Sequence, residues 1–539
     1  MLHSLKNSWK LNVEKLNRRE WFRRWSLLTL PAMFPGKPAA AAAAVQKLHV
    51  GRDIYQSIGV QPLINARGTF TIISGSLMLP EVRAAMDAAG QHHVHLDELT
   101  EAIGARLAEL TKAEWGIVTS GCAAGLTHAT AACVAGGNPD LHVRIPNLSG
   151  FPKDEVIIPK HSRNVYDAAV RAVGVRIIEV RTAEELEAAF GPRTAMVYIL
   201  AGPRADEPPL DTRTIARLAK QKGVPVLVDA AAEGLTVPNV HLENGASLVG
   251  YSGGKCLRGP QSAGLLLGRK DLVHAAWIHS APHHGFARSL KVGKEEAMGM
   301  LMAVEMWMQR DHQAEWNRWV AWLDHISKRV SAIDGVTTSV VQPNGLSNHT
   351  PSLVIRWDPS RRGISGRAVA KLLLDTEPRI VTPGGRDSEN GNEASISITP
   401  YQMSPGEEKI VADRIYAYLS NPPKQEPAER KETASADLSG SWDVQIEYAA
   451  GSSNHTLHLR QQGNRIEGTH QGDFVSRDLT GRIEGDAVQM RSSYTEEHGD
   501  SLAFTFTGKV SGDEISGTLD MGEYLMGKWA AKRHPFRGR

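Results

Sequence analysis

A lysine closes the stretch Tyr251-Ser252-Gly253-Gly254-Lys255, between an apolar run at 246–251 and a second at 263–267. Runs of that length and composition form buried strands. The paired glycines let the backbone turn tightly and approach a ligand closely. Burial lowers the pKa of a lysine, and a neutral amine on a rigid loop is a nucleophile for a carbonyl. The same pattern also suits a solvated lysine on a Gly-rich hairpin. A second candidate is Asp229, which ends the apolar run 224–228 and opens Asp229-Ala230-Ala231-Ala232-Glu233. An acid there either caps a helix or acts as a functional carboxylate, and the alanines leave a flat floor suited to a planar ring. A third is Ser120-Gly121-Cys122-Ala123-Ala124-Gly125, which follows the short run 114–119 and leads into small residues. Strand, glycine turn and helix N-terminus bring free amides and a helix dipole to an anion such as phosphate. Tight turns of this kind also occur for purely structural reasons.

These residues need a frame. Short apolar runs at 114–119, 155–159, 175–180, 194–200 and 224–228 alternate with helical patterns at 80–89, 96–110, 164–173, 183–190 and 211–222. Repeated βα units predict a mainly parallel, doubly wound sheet with ligands at the carboxyl ends of its strands. Ser120, Asp229 and Lys255 all fall at or just past such ends, as does His161, after Ile157-Ile158-Pro159. A long helical stretch is expected from 296 to 329, followed by a smaller α/β unit with elements at 352–357, 366–374 and 396–399. Residues 421–437 read as a linker. Beyond it, alternating runs at 442–448, 456–459 and 502–506 are separated by Gly463-Asn464, Gly485-Asp486 and Gly512-Asp513. These predict an all-β appendage, a meander, small barrel or sandwich. The expected organisation is therefore a targeting segment at 1–44, a large domain at 45–295, a small α/β domain at 296–420, the linker, and an all-β domain at 438–535.

The totals narrow the function classes. At 539 residues the chain is too long for one core. Lys and Arg number 61 against 59 Asp and Glu, a near balance that gives no support for nucleic-acid binding. Cys122, Cys133 and Cys256 have neither a disulfide nor a zinc-site pattern, and Cys256 reads as small core packing. The histidines at 92, 93 and 95, and at 279, 283 and 284, lack the helical pair that marks a metal site, so no metal is expected. Residues 1–24 are basic, an apolar run follows at 25–34, and six alanines end the segment at 39–44. That is the plan of a signal peptide, and Asn17-Arg18-Arg19-Glu20-Trp21-Phe22 resembles a twin-arginine export signal. The alternative is an uncleaved basic amphipathic helix, which would leave the protein cytoplasmic. No other run is long enough to span a membrane.

A phosphate cradle, an acid and a lysine, in that order on alternating βα units, are what pyridoxal phosphate requires. A P-loop would need a Lys-Ser/Thr pair after its glycines, and Ser120 to Gly125 has none. At this point the chain resembles the fold-type I pyridoxal phosphate enzymes, in the group of bacterial selenocysteine synthase (L-seryl-tRNA selenium transferase) and the glucosaminate-6-phosphate ammonia-lyase-like proteins. The matching motifs are Ile64-Asn65-Ala66-Arg67-Gly68, Val118 through Gly125, Lys160-His161, Val228 through Glu233, Tyr251 through Lys255, Gly259-Pro260-Gln261, and Arg288 through Glu295. They span about residues 50–420 and lie closer to the lyase-like branch.

The resemblance implies Lys255 as the Schiff-base lysine and Asp229 as partner of the pyridine nitrogen. It implies Ser120, Gly121, Cys122 and Ser252 as phosphate ligands. His161 is the candidate to pack over the ring, and core or capping roles remain open to it. Arg288 and Arg258 are candidates to grip a substrate carboxylate or phosphate, and His283 and His284 to line the pocket. A homodimer or higher homo-oligomer is expected. The reading is an exported enzyme acting on an amino acid or amino-sugar acid, by α-proton abstraction with β-elimination or β-replacement. A selenocysteine-synthase-type transferase is the alternative. It is disfavoured by the balanced charge, the all-β appendage and the export signal. An exported, non-catalytic ligand-binding protein on the same core is the rival from another class.

Overall fold

A computed structural model describes residues 48–423, 432–499 and 501–535; the candidate export signal at 1–44 lies outside the described residues. Residues 48–62 belong to a separate unit and hold a short 3-10 turn, Gln56–Ile58, ended by Gly59 in the left-handed region.

The strand Ile64–Asn65 is β1. The large domain is built on β2 (Trp115–Thr119), β3 (Glu155–Pro159), β4 (Arg176–Val180), β5 (Thr194–Leu200), β6 (Val226–Asp229), β7 (Leu248–Ser252) and β8 (Gly264–Gly268). They form one sheet in the order β2-β8-β7-β6-β5-β3-β4. The pairs from β4 across to β7 are parallel, and β8 runs antiparallel to both neighbours. Strands covered on both faces need apolar residues on both, and alternate side chains sort to opposite sides. In β5, Val197 and Ile199 pack with Ile215 and Leu218, whereas Met196 and Tyr198 pack with Leu126, Ala129 and Val273.

Two expected elements differ. The single helical stretch at 296–329 is two helices, Lys294–Gln309 and His312–Val330. Asp311 interrupts it, because its side chain accepts a hydrogen bond from the Ala314 amide and starts a new helix. The expected helix at 164–173 is a 3-10 turn, Val165–Asp167, followed by the short helix Ala168–Arg171. Asn164 caps the Tyr166 amide there, and the fully buried Asp167 pairs with Arg163 and Arg171.

The small domain carries β9 (Thr337–Val341), β10 (Ser352–Trp357), β11 (Ile380–Val381), β12 (Gly385–Asp387) and β13 (Ala394–Ile398). Four of these make an antiparallel sheet in the order β12-β13-β10-β9. β1 pairs in parallel with β11, which ties Ile64–Asn65 to the small domain.

The last part is a closed antiparallel barrel of eight strands. They are β14 (Gly440–Glu447), β15 (Ser452–Gln462), β16 (Arg465–Gln471), β17 (Ser476–Glu484), β18 (Ala487–Thr495), β19 (Ser501–Ser511), β20 (Glu514–Asp520) and β21 (Met526–Arg533). Each strand pairs with the next, and β21 returns to β14. Among the forms left open by sequence, closure removes the exposed edges that a sheet would carry. Among the described residues no helix is long and apolar enough to cross a membrane.

Candidate active site

The antiparallel β8 between β2 and β7 means that those two strands run parallel to each other. The carboxyl ends of β2, β3, β6 and β7 therefore share one edge of the sheet. Thr119 and Ser252 both pair with Gly264, so the Ser120 turn and the lysine loop leave the sheet at the same level, on either side of β8. A Cβ on Gly264 would lie 2.4 Å from the Gly121 carbonyl carbon. Glycine is needed there to let the turn pass over the strand.

Asp229 is 2 % exposed at the end of β6. Its Oδ2 accepts from the Tyr198 hydroxyl at 2.9 Å, and its Oδ1 from the Ala231 amide at 3.1 Å. The Cys122 thiol donates to Oδ1 at 3.6 Å. Gly250 makes this approach possible, since a Cβ on it would stand 3.2 Å from the Cys122 Sγ. Asn164 donates to the Tyr198 oxygen at 3.1 Å, which directs the tyrosine's proton toward Asp229. Burial raises the Asp229 carboxyl above the ordinary range, against the pull of the Ala231 amide, Tyr198 and Lys255. Burial also pushes the Cys122 thiol up, so it stays protonated as a donor. Lys255 is half-buried in the loop after β7, close enough for its charge to act on both Asp229 and Cys122.

The helix Cys122–Ala135 starts directly after the turn. Gly121, at φ +87°, is its N-cap, and no side chain caps the first amides. A Cβ on Gly121 would meet nothing within 4 Å, so the space in front of the turn is open. The Ser120 hydroxyl donates to the Leu290 carbonyl at 2.9 Å. This brings Leu290 against the turn; the Gly121 amide donates to the Thr119 carbonyl at 2.9 Å, which leaves the uncapped amides at the helix start as donors for an anion.

The other candidates are spread more widely. His161 stands at the end of β3, half-buried. Its Nε2 lies 3.3 Å from the Leu210 carbonyl oxygen and its Nδ1 3.1 Å from the Ser162 hydroxyl. Burial lowers its pKa, so the ring is neutral at pH 7. Arg288 is exposed, two residues before Leu290, whose carbonyl meets Ser120. Arg258 takes a left-handed φ of 56° and donates from Nε to the Leu77 carbonyl at 3.0 Å, which gives it a structural task. It also lines a cavity of about 330 Å³, with Cys256, Trp307, Arg310, Trp316, Trp319 and Tyr401. Lys255, Asp229 and Ser120 are not in that lining, but Ala232 and Cys256 are, so the cavity adjoins the end of the alanine floor and the lysine loop. His283 and His284 do not line it; His283 Nε2 stands 3.2 Å from Asp97.

Tyr198 and the tryptophan cluster were not singled out in sequence. Tyr198 carries a readable signal, a polar-tipped aromatic late in an otherwise apolar strand. The tryptophans sit on helices where they read as core.

The donor set fits pyridoxal phosphate. An uncapped helix start with open space before it suits the phosphate. A buried carboxylate, satisfied by neutral donors, suits a protonated ring nitrogen. A half-buried amine stands on the same edge.

No protein-family model matches the chain. D-glucosaminate-6-phosphate ammonia lyase of Salmonella typhimurium (strain 14028s / SGSC 2262) is 28% identical over 372 residues, covering 67% of this chain and 97% of that protein. A 5'-C-glycyluridine monooxygenase-decarboxylase of Streptomyces sp is 31% identical over 378 residues, covering 68% of this chain and 92% of that protein. L-seryl-tRNA(Sec) selenium transferase of Rhizobium meliloti (strain 1021) is 30% identical over 318 residues, covering 52% of this chain and 62% of that protein. The solved structure of D-glucosaminate-6-phosphate ammonia-lyase superposes with a TM-score of 0.60 at 28% identity, covering 68% of this chain and 98% of that one.

Proposed function

The chain belongs to the fold-type I pyridoxal phosphate enzymes, in the group of those lyases and selenium transferases, and on that premise we propose that it is a lyase or transferase acting on an amino acid or amino-sugar acid. The reaction is removal of the proton beside the substrate amine, followed by loss or replacement of a group on the next carbon. The observation that carries this reading is the shared sheet edge: the Ser120 turn, Asp229 and the Lys255 loop follow the carboxyl ends of β2, β6 and β7, with the antiparallel β8 between β2 and β7.

Bound there, pyridoxal phosphate supplies the electron sink that makes such a proton acidic. The turn Ser120, Gly121 and Cys122, with the uncapped helix start, would hold its phosphate, and Ser252 at the end of β7 would add a hydroxyl from across β8. Asp229, fixed by Tyr198, the Ala231 amide and Cys122, keeps the ring nitrogen protonated. The Lys255 Nζ would be the amine that holds the cofactor aldehyde and the nearest base for the substrate proton. His161, its pKa lowered by burial, would pack over the ring without adding charge. Arg288, two residues before Leu290, would hold the substrate anion.

The full chain should take up pyridoxal phosphate and absorb above about 400 nm, and Lys255→Ala should remove that band. A wild-type chain that stays colourless with added cofactor would contradict the reading and favour the non-catalytic binding protein. Export by the twin-arginine route is the second part of the proposal, supported by Arg18-Arg19 in its basic, then apolar, then alanine-rich context. Cell fractionation with Arg18→Lys and Arg19→Lys together should move the protein to the cytoplasm; equal distribution with and without the change would refute export.

A further inference from the structure

The barrel interior is not uniformly apolar. Toward one end, Trp442, Leu459, Ile466 and Ile483 form a closed core with Leu438. Toward the other, the inward positions of β15 to β18 turn polar: His455, His470, Arg477 and Ser492 are all buried. His455 and His470 share a hydrogen bond of 2.8 Å, and His470 Nδ1 meets Ser492 Oγ at 2.7 Å. Burial holds both rings below the ordinary histidine pKa. A neutral ring has one donor and one acceptor, so the chain runs in one direction. The Asp473 carboxylate, 3.6 Å from His455 Nε2, can only accept, so the ring protons point toward it and the Ser492 hydroxyl donates to His470 Nδ1.

Arg477 is the anomaly. It is 8 % exposed and is the one permanently charged side chain among the described buried residues of the barrel. Its Nε and Nη1 are buried with no acceptor. An unpaired buried charge is costly. The guanidinium lies over the Phe504 ring at 4.8 Å. The guanidinium itself fits only because residue 472 is glycine, where a Cβ would come 2.6 Å from Nη1. His470 stands directly across from Arg477 in the β16–β17 pair. Ser492 pairs with Leu479 and so stands diagonally from Arg477 on the same face. The carboxylates of Asp473 and Glu496 stand near the guanidinium, but neither forms an ion pair with it among the described residues.

We propose that this end of the barrel is a binding site for a small oxyanion, carboxylate or phosphate, held by the unpaired donors of Arg477. A planar guanidinium with unused donors matches such an anion. An eight-stranded barrel leaves room for a small ligand at its mouth. The site is independent of the lysine chemistry in the large domain.

The test is calorimetric titration of the full chain, saturated with pyridoxal phosphate, with sodium benzoate and with sodium phosphate at constant ionic strength. The expected result is a saturable site with a Kd of about 1 mM or tighter for at least one probe. Tighter benzoate assigns an organic carboxylate, and tighter phosphate a phosphate group. Arg477→Gln should weaken binding about tenfold or more while leaving the cofactor absorbance unchanged and raising or preserving the thermal midpoint without anion. If Arg477→Gln fails to fold, Gly472→Ala, which crowds Nη1 from the turn, should weaken binding in the same direction. No saturation with either probe, or an unchanged Kd in the folded variants, would overturn the proposal.

Discussion

Asp229 is the most constrained side chain at the sheet edge, and its constraints come from residues far apart in sequence. Tyr198 donates to it, Asn164 orients Tyr198, and Cys122 reaches it across Gly250. A buried carboxylate in that setting acts by holding charge at a fixed point. Asp229→Asn should lower kcat about 100-fold or more with the cofactor still bound. Tyr198→Phe removes one hydrogen bond to a charged group, so a loss of about tenfold in kcat is expected. Steady-state kinetics beside the cofactor spectrum separates these outcomes; a Tyr198→Phe enzyme as poor as Asp229→Asn would mean that the tyrosine does more than hold the carboxylate. Lys255, Asp229 and the Ser120 turn were legible in sequence because each breaks an apolar run at a strand end. The pairings of Tyr198 and Asn164 were not, because a hydrogen bond between β5, β6 and the loop after β3 has no sequence spacing.

At the level of elements, the alternation of strands and helices made the parallel sheet legible, and the apolar lengths placed its strands. What alternation could not convey is that β8 inserts antiparallel between β2 and β7. That insertion puts the phosphate-type turn beside the lysine loop, and Gly264 is its price in side-chain freedom. Gly264→Ala would drive a Cβ into the Gly121 backbone. Cofactor affinity should fall about tenfold or more, roughly 1.4 kcal/mol, while the far edge of the sheet is undisturbed. Equilibrium titration of pyridoxal phosphate into the variant measures it, and an unchanged Kd would show that the turn can shift without loss. The break at Asp311 was hidden for a different reason: helical periodicity continues across it, and only the cap reveals the interruption.

On the scale of the whole molecule, an α/β enzyme core and a closed β-barrel share one chain, and both bury histidines. Burial lowers His279 and His470 to about 3 and His128 to about 4, from an ordinary 6.5. The unfolded chain therefore binds protons below about pH 6.5 that the folded chain refuses. Stability contributed by these rings is complete above that pH and is lost as pH falls toward about 4, by at most about 1.4 kcal/mol per ring per pH unit. Thermal midpoints should drop between about pH 7 and about pH 5, and His470→Gln should flatten the fall for the barrel transition. A slope unaffected by that substitution would assign the effect to other groups. The barrel's existence was legible from its alternating strands and glycine turns. Its closure was not, because pairing of β14 with β21 joins segments about ninety residues apart by spacing that no local pattern encodes.

The account as a whole rests on Lys255 as the residue that carries the cofactor. The most direct measurement is borohydride reduction of the full chain with bound pyridoxal phosphate, followed by mass mapping of the modified peptide. The account predicts one phosphopyridoxyl group per chain, on Lys255, and none on Lys255→Ala. A label on a different lysine, or no covalent label on a chain that nonetheless binds the cofactor, would contradict it.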